Sequence, residues 1–252
     1  MGAPSIFAVL STLPDSQYQP VIETLVAQAA SDANTHPVII APEDRPLVRS
    51  ASGKVSKDDP LLRYGHAAFG SSYPVLTRGE AAVLFRDRKK GRNAELIDDR
   101  TFLFLTDSIP QAETLNAFDA FCFIITGDRS AIPFMYEWTQ TVIHAKGNAS
   151  FRFLFVNEMK LEKAAEFFIE LKAELNPTRN DSVEYVFCGS LAIRSEELAL
   201  AESAGMLIPE AFPRGTTHGQ ARYAATRLFA RSSVETSDAA AERVRLFSTL
   251  LD

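Results

Sequence analysis

The chain has 252 residues, 46% of them hydrophobic and 23% charged, which is close to the average for globular proteins. This composition excludes a disordered, collagen-like or low-complexity chain, and the length allows one large α/β domain or two small ones. The 26 Lys and Arg residues are outnumbered by 32 Asp and Glu residues, so the net charge of −6 argues against nucleic acid as a partner.

The sequence contains no stretch of the roughly 18–20 apolar residues that a membrane span needs, and it does not begin with a signal-peptide pattern. We therefore expect a cytoplasmic protein. Cys122 and Cys188 both lie in apolar runs, which is typical of buried thiols in a reducing compartment and not of a disulfide framework.

Strand-like and helix-like patterns alternate along the chain. Ser5–Leu10 is a short apolar run typical of a buried strand, Val21–Ala30 has helical spacing, and His36–Ala41 is a second apolar run. Pro20 suits the first turn of the helix, so these segments predict a βαβ unit. Residues 47–100 show neither period clearly. Beyond them we predict strands at Thr101–Leu105, Ala120–Ile125, Phe151–Val156 and Val183–Cys188, helices at Ser130–Ala145 and Leu161–Leu175, and further helices to the end.

This alternation predicts a doubly wound α/β fold, with a mostly parallel sheet covered by helices on both faces. Ligands of such sheets bind at the carboxyl ends of the strands, near a switch point in strand order. The residues to consider for a site are therefore those in the loops that follow Leu10, Ala41, Leu105, Ile125 and Val156.

The loop after the first strand, residues 11–20, has the position of a phosphate-binding loop without its chemistry. Such a loop needs glycines, whose backbone N–H groups surround the phosphates, a Lys, and a Ser or Thr for magnesium. Residues 11–20 contain neither Gly nor Lys. Pro14 and Pro20 remove two backbone donors, and the carboxylate of Asp15 would repel phosphate.

Two polar residues follow later strands, and each has a structural and a functional interpretation. Asp107 is placed where a carboxylate could orient magnesium, but Asp also favours turns, and without a phosphate loop we expect the turn role. Asn157 could bind an adenine edge through its amide or cap the helix that follows, and we expect the cap.

No other catalytic constellation is present. The four His residues have no metal-ligand spacing with one another or with Cys, so we expect no metal site. The nucleophile motif G-x-S-x-G is absent, and neither cysteine lies beside a base.

The order and spacing of these segments resemble the deviant-Walker ATPases of the MinD/ParA family, and most of all its FlhG/FleN branch, which positions flagella. The resemblance covers residues 5–230 except the unclear middle. It is carried by SIFAVLSTLP at 5–14, HPVIIAPEDRP at 36–46, TFLFLTDSIP at 101–110, AFCFIITGDRS at 120–130, FRFLFVNEM at 151–159 and SVEYVFCGS at 182–190.

The resemblance implies a P-loop NTPase-like fold. It does not imply ATP hydrolysis, because this chain lacks the family's key residues. In the family, a nucleotide-sandwich dimer hydrolyses ATP. The two lysines of the family's phosphate loop fall on Leu13 and Tyr18, and its magnesium Thr falls on Gln19. Glu158 stands where the family often has Arg, which further disfavours nucleotide binding. We therefore predict a pseudo-ATPase with no catalytic residue and no cofactor.

The predicted role is that of an adaptor or regulator, acting through protein–protein contacts. The resemblance implies positioning or assembly of a bacterial surface apparatus, such as a flagellum, pilus, secretion or polysaccharide machinery. Its partner would be a related ATPase or an apparatus component, and a homodimer remains open. The alternative is a nucleotide binder or weak ATPase that binds Mg-ATP through non-standard donors. In that case Ser11, Asp107 and Asn157 would contact the nucleotide, together with Thr12 and Ser16.

A basic cluster lies in the unclear middle of the chain. We expect a solvated loop there; the alternatives are contact with a phosphate group, nucleic acid or an acidic protein partner, or sensing of a different nucleotide. The members of the cluster are Arg86, Arg88, Lys89, Lys90 and Arg92.

The last segment, residues 233–252, is predicted to be an amphipathic helix after an α/β domain at 1–232. Val244, Phe247 and Leu251 fall on one helical stripe. The helix is short and has few basic residues, so a membrane would hold it weakly. We expect it to pack on its own domain or on a partner; the alternative is peripheral contact with the inner membrane.

Overall fold

The computed structural model describes residues 4–31, 35–43, 47, 60–67, 73–90, 92, 94–156, 161–176, 182–230 and 237–251. Within these ranges, eight strands form one sheet in the order β3-β4-β2-β5-β1-β6-β7-β8, and all neighbours are parallel except the short edge strand β3. The strands are β1 Ser5–Ser11, β2 Pro37–Ala41, β3 His66–Ala67, β4 Pro74–Thr77, β5 Thr101–Thr106, β6 Ala120–Ile125, β7 Ala149–Val156 and β8 Val183–Leu191.

Helices cover both faces of the sheet. Side chains of β1 alternate between two hydrophobic cores, one on each face of the sheet. Ile6 and Leu10 lie in the core covered by α2, α3, α4 and α8, and Phe7 and Val9 lie in the core covered by α1 and α7. This confirms the doubly wound α/β fold predicted from the sequence. The helices are α1 Asp15–Ser31, α2 Arg78–Lys89, α3 Ile132–Lys146, α4 Leu161–Leu175, α5 Ser195–Ser203, α6 Ile208–Ala211, α7 Thr216–Leu228 and α8 Ser237–Leu251.

The described part of the unclear middle contains β3, β4 and α2, which the pattern does not predict. A capping box begins α2: Thr77 Oγ1 accepts a hydrogen bond from the Glu80 backbone N–H at 3.2 Å, and the Thr77 N–H donates to Glu80 Oε2 at 2.7 Å. The Thr-x-x-Glu spacing is a sequence signal for this start. The solvated loop expected around Arg86–Arg92 is therefore wrong over Arg86–Lys89, because these residues form the end of a helix.

Helix α1 begins earlier than predicted. The pattern places its start near Val21, but the N–H groups of Gln17 and Tyr18 already donate to the Pro14 carbonyl, at 2.9 and 3.0 Å. Pro20 consequently lies inside the helix and not in its first turn. Residues 12–14 alone connect β1 to α1, in place of the ten-residue loop expected at 11–20.

Helix α8 belongs to the main core. Phe247 has 0% exposure and packs its ring edge-on against Phe85, Phe104 and Phe118, with centroid distances of 5.1, 5.8 and 5.9 Å. Val244 and Leu251 are buried in the same cluster.

Polar contacts also join the middle of α8 to the residues that precede β6 and β1. Arg243 pairs with Asp119, and its Nη2 donates to the Pro4 carbonyl at 2.9 Å. The apolar stripe of α8 is therefore covered by the chain's own domain and is not available to a membrane in this conformation. The division expected between residues 232 and 233 lies outside the described residues. In the part of the chain that the structure describes, no helix is long and apolar enough to cross a membrane.

The packing of α8 predicts a large loss of stability for Phe247→Ala. Removal of a fully buried phenyl group leaves a cavity, and the expected loss in free energy of unfolding is about 3–5 kcal/mol. Ile169→Ala is the matched control, because this side chain is 68% exposed and its loss should stay within about 0.5 kcal/mol. Urea denaturation measures both. Equal, small losses would show that α8 does not pack in the core.

Candidate functional site

The site expected of this fold lies where the carboxyl ends of β1, β2 and β5 meet. Strand β1 lies between β5 and β6, and the chain passes from β1 to one side of the sheet and later crosses to the other. This is the switch point at which open α/β sheets bind ligands. Ser11, Pro42, Thr106 and Asp107 lie together there.

The backbone donors of the β1–α1 connection are already used by the protein. The Thr12 N–H donates to the Ile124 carbonyl at 3.4 Å, and the Leu13 N–H donates to Ser11 Oγ at 3.2 Å. The N–H groups of Gln17 and Tyr18 bond to Pro14, which has no N–H of its own. A phosphate cradle requires such groups to point at the ligand, so this connection does not offer one.

Side chains fill the space that a ligand would need. Leu13 and Tyr18 are buried in the core on the α1 side of the sheet. Tyr18 and Ile22 also line the cavity at the switch point, which has a volume of about 10 Å³. That volume is about the least that holds one water molecule, and small-molecule sites are typically several hundred Å³.

Asp107 is exposed beside this cavity. The turn after β5 is held by the Thr106 hydroxyl, which donates to the Ser108 carbonyl at 2.8 Å and accepts from the Ser108 N–H at 3.3 Å. Thr106 thus takes the role expected of Asp107, whose carboxylate has no hydrogen bond or ion pair with the described residues. The structure brings Asp107 and Ser11 to one place; Asn157 lies outside the described residues.

The basic cluster lies away from this edge, at the end of α2. Arg88 is not free to bind a partner, since its Nη2 atom contacts Asp98 Oδ1 at 2.9 Å. The side chain of Lys89 is not among those described. The exposed members are Arg86, Lys90 and Arg92.

Neither cysteine is a nucleophile. Burial raises the pKa of the Cys122 and Cys188 thiols to about 12, so both are protonated at neutral pH. Across the described ranges, no three His, Cys, Asp or Glu residues come together as metal ligands.

A larger cavity lies on the outer side of α1, and the sequence pattern did not reveal it. The helical spacing predicted for this segment says nothing about Glu23 and Thr24. Both side chains are buried, beneath the segment that carries α5 and α6. Only the tertiary packing of that later segment places them there.

Comparisons with known proteins support the fold. No family model matches the chain, and no curated protein sequence is similar to it. Among solved structures, a ParA family ATPase from Chlorobium tepidum TLS has a TM-score of 0.58 and 9% identity, covering 89% of this chain and 99% of its own. MinD cell division protein from Aquifex aeolicus has a TM-score of 0.55 and 11% identity, covering 92% and 99%. A MinC:MinD cell division protein complex from the same organism has a TM-score of 0.55 and 11% identity, covering 92% and 98%. The fold is therefore that of the ParA and MinD ATPases.

The burial of Leu13 predicts that a lysine there is not tolerated. Leu13→Lys places an ammonium group in an apolar core without a partner, and we expect the free energy of unfolding to fall by about 3 kcal/mol. Leu200→Lys is the matched control, since Leu200 is 59% exposed and its substitution should change stability by less than about 0.5 kcal/mol. Urea denaturation distinguishes them, and an unchanged stability for Leu13→Lys would show that the connection opens to solvent.

Proposed function

We propose that this chain is a non-catalytic MinD/ParA-like pseudo-ATPase that acts as an adaptor or regulator through protein–protein contacts. The observation that carries the proposal is the filled switch point. Where the fold would receive a phosphate chain, Tyr18 and Leu13 occupy the interior, and the backbone donors bond to the protein itself.

The energetic cost of opening this site supports the proposal. Exposing the side chains of Leu13 and Tyr18 would each cost about 2 kcal/mol of buried apolar surface, or about 4 kcal/mol together. Because each 1.4 kcal/mol is a tenfold change, a nucleotide would bind roughly a thousandfold more weakly than to a preformed loop. The chain also has no lysine on the connection to offset that cost.

A chain that does not bind ATP has to act through its surface. One of the similar solved structures is a complex of MinC with MinD, so that neighbour binds a protein partner on this fold. For this chain, the proposed partner is a related ATPase or a component of a bacterial surface apparatus, such as a flagellum, pilus, secretion or polysaccharide machinery. The exposed cations Arg86, Lys90 and Arg92 are proposed to face an acidic surface of that partner, since they oppose the chain's net charge of −6.

A second candidate function is weak nucleotide binding by non-standard donors. Two observations favour it: the Thr12 hydroxyl is buried with no hydrogen-bond partner among the described residues, and Asp107 has an unpaired carboxylate nearby. Ser16 does not support it, because this residue lines the cavity on the outer side of α1. The small volume at the switch point makes this the weaker candidate.

Titration calorimetry with millimolar Mg-ATP and Mg-ADP decides between these functions. We expect no binding heat and no ATP-dependent change in mass by sedimentation, whereas a ParA family ATPase run in parallel should bind. Asp107→Ala is tested beside Asp238→Ala, an exposed Asp on α8. Binding by the unchanged protein would contradict the proposal, and its loss in Asp107→Ala alone would establish the second candidate.

A further inference from the structure

The cavity on the outer side of α1 has a volume of about 250 Å³, far larger than the one at the switch point. Its α1 wall is mostly polar, with Ser16, Gln19, Glu23 and Thr24 beside the ring of Pro20. The opposite wall comes from α5, α6 and the segment between them, and it is mostly apolar, with Leu198 and Ile208 among its residues. One wall is thus mostly polar, and the other is mostly hydrocarbon with one carboxylate, that of Glu202.

The carboxyl group of Glu23 lies on the α1 wall, and the acidic side chain of Glu202 lies on the opposite wall. Glu23 is 3% exposed and accepts a hydrogen bond from Gln19 Nε2 at 3.0 Å. Burial raises the pKa of Glu23 to about 8, and the charge of Glu202 on α5 adds to this shift. Glu210 on α6 brings further negative charge to the same region, near the buried hydroxyl of Tyr73.

No basic group among the described residues offsets this charge. His218 on α7, the other helix packed against α1, bonds to Gln28 at 3.3 Å instead. No Lys or Arg of the described residues lines the cavity. The ionised form of a buried carboxyl group beside another acid is costly unless a cation pairs with it.

Two hydroxyl groups beside Glu23 also have no partner. Thr24 is 1% exposed and lines the cavity, and Tyr73 is fully buried close enough to Glu23 for its charge to raise the pKa of the Tyr73 hydroxyl. Neither hydroxyl has a hydrogen bond within the described part of the chain. Buried polar groups are nearly always hydrogen-bonded, so unpartnered ones require an explanation. A bound group with N–H donors would satisfy the Thr24 oxygen and the Glu23 carboxylate together.

We propose that this cavity binds a small organic cation, an ammonium or guanidinium group on a short hydrocarbon chain. The cationic head pairs with Glu23 and donates to Thr24, and the hydrocarbon lies against the apolar wall. The two carboxyl groups that line the cavity exclude an anion. A hydrated metal ion fits less well, because Mg²⁺ and Ca²⁺ take six or more oxygen ligands and one of the two walls of this cavity is mostly apolar.

This proposal does not depend on the proposed function. It makes binding depend on pH, since the cation pairs with the ionised form of Glu23 and displaces its proton. With a pKa of about 8, roughly a tenth of Glu23 is ionised at pH 7 and roughly nine tenths at pH 9. A guanidinium group stays charged over this range, so its affinity should rise about tenfold from pH 7 to pH 9.

Whether Glu23 is buried in its protonated, neutral form can be tested without a ligand. Between pH 5 and pH 8 the unfolded chain ionises Glu23 while the folded chain keeps its proton, so stability from this group is lost as pH rises. The urea midpoint of Glu23→Gln, relative to that of the unchanged protein, should therefore increase from pH 5 to pH 8. The relative midpoint of Glu137→Gln, a change at an exposed Glu on α3, should stay constant. A constant difference for Glu23→Gln would overturn the burial on which the proposal rests.

The direct test is calorimetric titration with n-butylguanidinium, beside n-butylurea as its neutral analogue. We expect the unchanged protein and Glu137→Gln to bind n-butylguanidinium about tenfold more tightly at pH 9 than at pH 7. Glu23→Gln should lose at least tenfold in affinity at pH 9 together with the pH dependence, and n-butylurea should not bind. No binding at pH 9, equal binding by Glu23→Gln, or equal binding of n-butylurea would each overturn the proposal.

Discussion

The rest of the molecule depends on the full burial of β1. Helices cover both faces of this strand, and residues 12–14 then lead directly into α1. In this short connection the Thr12 and Leu13 N–H groups bond to Ile124 and Ser11, and the Leu13 side chain enters the core. The same geometry that stabilises the centre of the sheet therefore closes the place where the fold would otherwise hold a phosphate chain.

Helix α1 couples this closed edge to the second cavity. Its inner face carries Tyr18 and Ile22, which fill the switch point, and its outer face carries Glu23 and Thr24. The position of α1, between the sheet and the segment of α5 and α6, therefore accounts for both the small volume at the switch point and the larger cavity on the outer side of the helix. One helix of this fold therefore lines both the small cavity at the switch point and the larger cavity on its outer side.

The sequence predicted the parts of the fold in which local pattern and tertiary burial agree. Ala120–Ile125 and Leu161–Leu175 have the predicted bounds, since one is a continuous apolar run and the other a strongly amphipathic helix that ends before Asn176-Pro177. Helix α2 was missed because its charged residues hide the helical period, although Thr77 and Glu80 signal its start. The absence of Gly and Lys from residues 11–20 is evident from the sequence itself. The burial of Glu23 is not, because only the later packing of α5 and α6 covers it.

Amide hydrogen exchange over residues 11–20, with and without Mg-ATP, tests the central claim most directly. The N–H groups of Leu13, Gln17 and Tyr18 are hydrogen-bonded to the protein, so we predict slow exchange that Mg-ATP leaves unchanged. Rapid exchange without nucleotide, followed by protection when Mg-ATP is added, would contradict the account. It would show that these donors are open and that they bind phosphate.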